Sequence, residues 1–223
     1  MTPLARNVED LVTKTAGLRS AHAEALDVTV DLPDGSRLAG TVPGVHADRI
    51  VRVEYSRLGA KHRVRAWVQL LALVAGRPGR DWHAQTVGRG KDGPAMSFLN
   101  GPTQVEATAA LDTLVGLYRR GLCEPLPLTP KTSCLYAERR RAGSPPAGAV
   151  VKAATEWRRT LGDGREIGEF DDPEHRRVWG DARLRDLLGQ RAVAGEPFDD
   201  EPHRFGQLAR QVWDPLLDHE GMF

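Results

Sequence analysis

Between Ser36 and Gly76 the apolar positions change their period. Leu38, Gly40 and Val42 alternate with other residues, and Ile50, Val51 and Val53 form a short β-branched run. Val64, Trp67, Val68, Leu71 and Val74 then recur at helical spacing. Alternation sends successive side chains to opposite faces of a strand, whereas a 3.6-residue period gives a helix one apolar face. The stretch is therefore predicted to fold as strand, turn, strand, loop and long amphipathic helix. The rest of the chain is organised around it.

Upstream, Val8, Leu11, Val12, Thr15 and Leu18 predict a helix over Asn7–Leu26, with Asn7 as its N-cap and Glu9 and Asp10 in the first turn. Leu26, Val28, Val30 and Leu32 alternate as a half-buried strand, and Pro33–Ser36 is a turn. Downstream, Trp82–Val87 and Ala95–Leu99 read as strands joined by the Gly88–Gly93 loop. That loop lacks the GxxxxGK[ST] pattern of a phosphate loop, so a hairpin turn is expected and no ATP hydrolysis. Gly101–Gly121 is predicted as a helix, with Pro102 near its first turn and Gly121 as its stop. Ala110, Leu111, Leu114, Val115, Leu117 and Tyr118 form its buried side. Pro125–Pro130 suits an extended edge segment, Lys131–Arg141 a helix, Pro145-Pro146 a break, and Ala149–Leu161 a further helix.

Composition narrows the class more than the function. At 223 residues the chain can bury a sizeable core, and 40% hydrophobic with 27% charged residues is ordinary for a globular protein. A net charge of +1 gives no global nucleic-acid signature, so such a case rests on local clusters. Arg52, Arg57, Lys61, His62, Arg63 and Arg65 make the densest one, from which Arg57, Lys61, Arg63 and Arg65 are the candidate phosphate contacts. A solvated helix start is the plainer explanation for any single one of them. Cys123 and Cys134 fall in no zinc or disulfide pattern, and no signal peptide or membrane span is visible, which fits a cytoplasmic protein. Asp171-Asp172-Pro173-Glu174-His175 and Asp199-Asp200-Glu201-Pro202-His203 echo each other. Capping acids at helix starts explain them better than a metal site does.

The order of elements around Glu54 resembles the nuclease core of the PD-(D/E)xK class. There one strand supplies an Asp, the next an acid-x-Lys triplet, and a helix follows. The family strings "GRIDRID", "VVDYKTG" and "LQLALYALAL" correspond to GTVPGV (Gly40–Val45), VEYSRL (Val53–Leu58) and WVQLLALVAG. Pro43 falls where the metal-binding Asp would be, Ser56 falls where the lysine would be, and Glu54 alone survives. A magnesium site of that kind needs at least two carboxylates and a cation near the attacked phosphate. The resemblance implies an α/β (α+β) fold with a mixed sheet flanked by helices, catalytically degenerate, with no metal and no cofactor.

Leu117–Arg141, LYRRGLCEPLPLTPKTSCLYAERRR, looks like the corresponding stretch of the RecC family, the gamma subunit of exodeoxyribonuclease V, which shares a "GYREG…PL…P…" pattern. EHRRVWG (Glu174–Gly180) is similar to its "YQRLWR" element, and VWDPLL (Val212–Leu217) to its closing "FLLPLF". The resemblance implies a fragment of a longer protein: one C-terminal domain, with a core of about 7–148 and a helical tail of about 149–223. It further implies partners of the RecB and RecD type, duplex DNA ends and separated single strands, without a membrane. The expected role is non-catalytic DNA handling and subunit docking in double-strand-break repair and recombination. A docking surface is expected in the tail, which carries Trp157, Trp179, Trp213, Phe198 and Phe205. Two rivals are an active metal-dependent nuclease, drawing on Glu54 with Asp48 or Glu106, and a scaffold that never touches DNA.

Overall fold

The computed structural model describes residues 3–19 and 22–222; the predicted helix over 7–26 thus includes two residues outside it. In chain order the elements begin with α1 (Pro3–Ala16), a 3-10 turn (Gly17–Arg19), β1 (Ala23–Asp31), β2 (Arg37–His46), β3 (Arg49–Arg57) and α2 (Ala60–Gly76). There follow β4 (His83–Arg89), β5 (Pro94–Asn100), α3 (Gln104–Cys123), α4 (Pro130–Arg141) and α5 (Pro146–Trp157). The chain then forms β6 (Arg159–Thr160), β7 (Glu166–Ile167), a 3-10 turn (Glu169–Asp171), α6 (Pro173–Trp179), α7 (Leu184–Leu188), α8 (Arg204–Asp218) and β8 (Glu220–Met222). The fold is α+β, with a mixed six-stranded sheet flanked by helices. It divides into two compact units, Met1–Val115 with Asp218–Phe223, and Gly116–Leu217. The division thus falls ahead of the boundary expected near 148.

In the first unit the sheet order is β1-β2-β3-β4-β5-β8. Only β3 and β4 run parallel, because α2 lies between them as a crossover, and the other neighbours are antiparallel. Trp67, Leu70, Leu71, Leu73 and Val74 of α2 are buried, each such side chain contributing about 1.5–3 kcal/mol. Val68, expected on that face, is exposed, and Ala66 and Leu70 take its share of the core. α1 begins at Pro3, so Asn7 is inside the helix and not its cap, and Leu26 belongs to β1. The strand signal beginning at Ala23 overrides a longer helix. α3 starts at Gln104, leaving Pro102 outside it. Thr103 Oγ1 accepts from the Glu106 amide, and the Glu106 carboxylate accepts from the Thr103 amide at 2.8 Å. The helix runs on past Gly121 to Cys123, with Tyr118 exposed.

β2 and β3 pair only at Val45–Ile50 and His46–Arg49. Against β1, β2 carries a bulge at Gly44, whose φ of 73° is the left-handed conformation that glycine adopts at no steric cost.

In the second unit α4 and α5 pack on each other, and Tyr136, Ala149, Ala153, Phe205 and Ala209 form one buried cluster. A second cluster joins Trp157, Leu184 and Leu187, with Phe170 and Trp179 packed against it. Pro125–Pro130 forms no strand, and α5 ends at Trp157 rather than Leu161. Buried Glu169 accepts from the Lys131 and Thr132 amides at 2.6 and 2.7 Å, so it satisfies the open N–H groups at the start of α4. No helix of the described residues is long and apolar enough to cross a membrane.

Candidate nucleic-acid interface

Residues 52, 54 and 56 of β3 turn toward α2. Arg52 donates to Gln69 Oε1 at 2.9 Å and lies 3.7 Å from the Glu54 carboxylate. Burial, and next the like charge of Arg65, lower the Arg52 guanidinium from its ordinary value, while Glu54 opposes both. Ser56 Oγ is 3.1 Å from His62 Nε2. His62 Nδ1 accepts from the Gly59 amide at 3.2 Å, which leaves the proton of a neutral ring on Nε2, donated to Ser56. The Glu54 carboxylate therefore faces an arginine, and the Ser56 hydroxyl is held by a histidine. Pro43 is exposed in β2, one residue before the Gly44 bulge and past the end of the β2–β3 ladder.

The acids available to an active nuclease are not brought to Glu54. Asp48 sits in the β2–β3 turn beside Arg49 at 3.1 Å, six residues back along an extended strand, or about 20 Å at 3.3 Å per residue. Hydrogen bonds from the Thr103 hydroxyl and amide lower the Glu106 carboxyl below its usual range, and it serves as a cap for α3. Acids of both echoed segments are also engaged. Asp172 caps α6 by accepting from the Glu174 amide at 3.3 Å, and Asp200 and Glu201 bind Arg140 and Arg210. Among the described residues no group of three or more His, Cys, Asp or Glu side chains is placed to hold a metal ion.

The basic cluster does not stay together. Arg63 points into the core, with its side chain 8% exposed, and its guanidinium grips the Glu220 carboxylate of β8. This sets Arg63 apart from the other candidate phosphate contacts, because a guanidinium buried in a forked ion pair is out of reach of a strand. Lys61 and Arg65 are exposed on α2. Arg57 instead lines a hollow of about 240 Å³ with Asn7, Asp10 and Leu11 of α1 and with Arg89–Pro94 of the β4–β5 hairpin. Neighbouring strand residues point to opposite faces, which is why Ser56 meets α2 while Arg57 meets α1. Arg89 stands beside Arg57 in the parallel register, with its guanidinium 4.7 Å above the Tyr55 ring. Sequence reasoning weighed Arg89 and Lys91 only as part of an ATP-type phosphate loop, and it passed over Tyr55. The available signal was the pair of cations flanking Gly90 in a loop taken as a plain turn.

The tail aromatics are core residues before anything else. Trp157, Phe205 and Trp213 are buried, Trp213 Nε1 donates to Ser133 Oγ at 2.9 Å, and Arg210 covers Phe198 at 4.1 Å. The other two aromatics named for the tail, Trp179 and Phe198, are half-buried.

The RecC C-terminal domain family model matches residues 1–141. The RecBCD enzyme subunit RecC of Mycolicibacterium smegmatis (strain ATCC 700084 / mc(2)155) is 44% identical over 213 residues, covering 94% of this chain and 19% of that protein. The RecBCD enzyme subunit RecC of Mycobacterium tuberculosis (strain CDC 1551 / Oshkosh) is 40% identical over 215 residues, or 95% of this chain and 19% of that protein. The chain thus spans about a fifth of the length of the curated relatives it matches.

Proposed function

The chain belongs to the RecC C-terminal domain family, and from that premise we propose that it is a non-catalytic DNA-handling and docking domain of a RecBCD-type helicase–nuclease. Its partners are RecB-like and RecD-like subunits, duplex DNA ends and the strands separated from them, in double-strand-break repair and recombination in the cytoplasm. The observation that carries this reading is the state of β3 opposite α2. We read β3 and α2 as a nuclease-like frame in which the carboxylate Glu54 lies beside Arg52, and the hydroxyl of Ser56, where catalysis would need a lysine, is held by His62. A single carboxylate without a free cation cannot both bind a magnesium ion and stabilise an attacked phosphate. Activity belongs to sites rather than to folds, so such a frame can serve as a binding platform.

Lys61 and Arg65, one turn apart on α2 and both exposed, are the duplex contacts of this reading. Titrate the 223-residue chain with blunt duplexes of several sequences at a series of salt concentrations. Replacing both residues by Ala should weaken binding alike for every sequence. It should also flatten the slope of log affinity against log salt by about 2, close to one unit per lost phosphate contact. An unchanged slope, or no duplex binding at low salt, would show that α2 presents a solvated face only.

A further inference from the structure

We propose that the hollow between α1 and the β4–β5 hairpin is a phosphate site for a single nucleic-acid strand. Arg57, Arg89 and Lys91 hold one backbone phosphate, and Tyr55 offers its ring to an adjacent base. The site rests on the DNA-handling reading but uses none of the residues assigned to duplex contact on α2.

Charge is the first observation. Arg57 and Arg89 occupy paired positions on adjacent strands, where like charges repel, and Lys91 follows within two residues on the hairpin loop. Asp10 and Asp92 also line the hollow. Yet among the described residues no carboxylate forms an ion pair with any of the three cations. Three cations against two carboxylates leave the hollow net positive, a field that draws an anion in.

An unmet hydrogen bond is the second. Arg89 Nε is shut off from solvent and donates to nothing among the described residues. A buried donor of this kind is normally satisfied, and the Arg89 side chain has a hydrogen bond to gain by turning toward an oxygen in the hollow. A guanidinium is also the group whose planar fork suits phosphate oxygens.

Size and neighbours select the ligand. About 240 Å³ is less than the usual 300–1,000 Å³ of a small-molecule pocket, and it suits a phosphate with part of its sugar rather than a whole nucleotide. Tyr55, 43% exposed, stacks under the Arg89 guanidinium, a combination that suits an unstacked base. A duplex is stiff and its bases are already stacked, whereas a single strand can bend one phosphate inward and turn a base onto the ring. The chemistry recognised is therefore a phosphate ester, and the source we assign is a single strand.

The test measures anisotropy of a labelled mixed-sequence single-stranded oligonucleotide with the full 223-residue chain, its Arg57→Ala/Lys91→Ala variant, its Tyr55→Leu variant and its Lys61→Ala/Arg65→Ala variant. Arg57 and Lys91 are exposed, so their removal should leave the thermal midpoint unchanged, which is checked first. The proposal expects Arg57→Ala/Lys91→Ala to lose about tenfold or more in single-strand affinity while duplex affinity changes less than twofold. It expects Tyr55→Leu to lose several-fold on single strands alone. A second arm follows inorganic phosphate binding by phosphorus NMR line broadening. Broadening by the wild-type chain without any single-strand binding would assign the hollow to free phosphate and overturn the strand. Single-strand affinity of Arg57→Ala/Lys91→Ala within twofold of wild type would also overturn it. The duplex arm with Lys61→Ala/Arg65→Ala would then still report separately on DNA handling.

Discussion

Arg63 of α2 and Glu220 of β8, 157 residues apart, close the first unit through a buried ion pair. Arg63 Nε donates to Oε1 at 2.8 Å, the second nitrogen grips Oε2, and Ser97 Oγ adds a hydrogen bond to Oε1 at 2.6 Å. β8 has only three residues, so this carboxylate anchors a strand that its own ladder could scarcely hold. Removing one partner of a buried pair strands the other charge in the core, at a cost of about 3–5 kcal/mol. Glu220→Ala should therefore lower urea stability by roughly that amount, whereas the matched pair Arg63→Met with Glu220→Leu should recover much of the loss. Equal stabilities of wild type and Glu220→Ala would mean that the pair is dispensable.

Gly206, in the first turn of α8, lies against the carboxylate of Glu201, which is fully buried between Tyr136, Arg140 and Arg210. A β-carbon at position 206 would run into Glu201 Oε2 and come within 3.0 Å of the Tyr136 hydroxyl. The network cannot yield without breaking charged hydrogen bonds, so Gly206→Ala should cost about 2–3 kcal/mol or more despite the better helix propensity of alanine. Chemical denaturation measures this directly, and a stabilised variant would show that the Glu201 network is loose.

His175 of α6 packs edge-on against Trp157 with ring centroids 4.6 Å apart, and lies parallel to the Trp179 ring at 6.4 Å. Burial lowers its pKa from the ordinary value, outweighing the opposite pull of Glu169 and Asp172. The unfolded chain then binds a proton more readily than the folded one. Stability is full above the unfolded pKa of about 6.5 and falls as pH drops through it toward the lower folded value. His175→Phe should remove this component, which a comparison of denaturation midpoints at several pH values from neutral downward would reveal. An identical pH dependence in wild type and variant would contradict it.

Periodicity made β1 to β5 and α2 legible, because each carries enough consecutive apolar positions to declare one face. β8 left no such trace, since three residues have no period and the strand is made by its partner β5. Arg63 was misplaced for a related reason: a charge on a helix reads as surface until its partner is known, and Glu220 stands at the far end of the chain. Ser56 and Arg57 show the same limit within the candidate site. Arg57 was grouped with Lys61 to Arg65 into one strip, and strand alternation puts it on the face opposite its neighbour Ser56. Thr103-x-x-Glu106, by contrast, was a readable capping box hidden behind the more conspicuous Pro102.

Docking has a second candidate surface outside the tail aromatics. Tyr118 and Leu122, one turn apart on α3, are 67% and 71% exposed, and an exposed tyrosine beside a leucine suits an apolar anchor for a partner subunit. Tyr118→Ser with Leu122→Ser should weaken association with a RecB-like subunit by about tenfold in calorimetry while leaving the thermal midpoint in place. Unchanged affinity would move the docking surface elsewhere.

The central claim is that this chain does not cut DNA by itself, and it is tested most directly by incubating the 223-residue chain with linear duplex and single-stranded DNA in magnesium or manganese. The account predicts that the substrate remains intact, and that Glu54→Ala and wild type are indistinguishable. Metal-dependent cleavage by the wild-type chain that disappears in Glu54→Ala would contradict it.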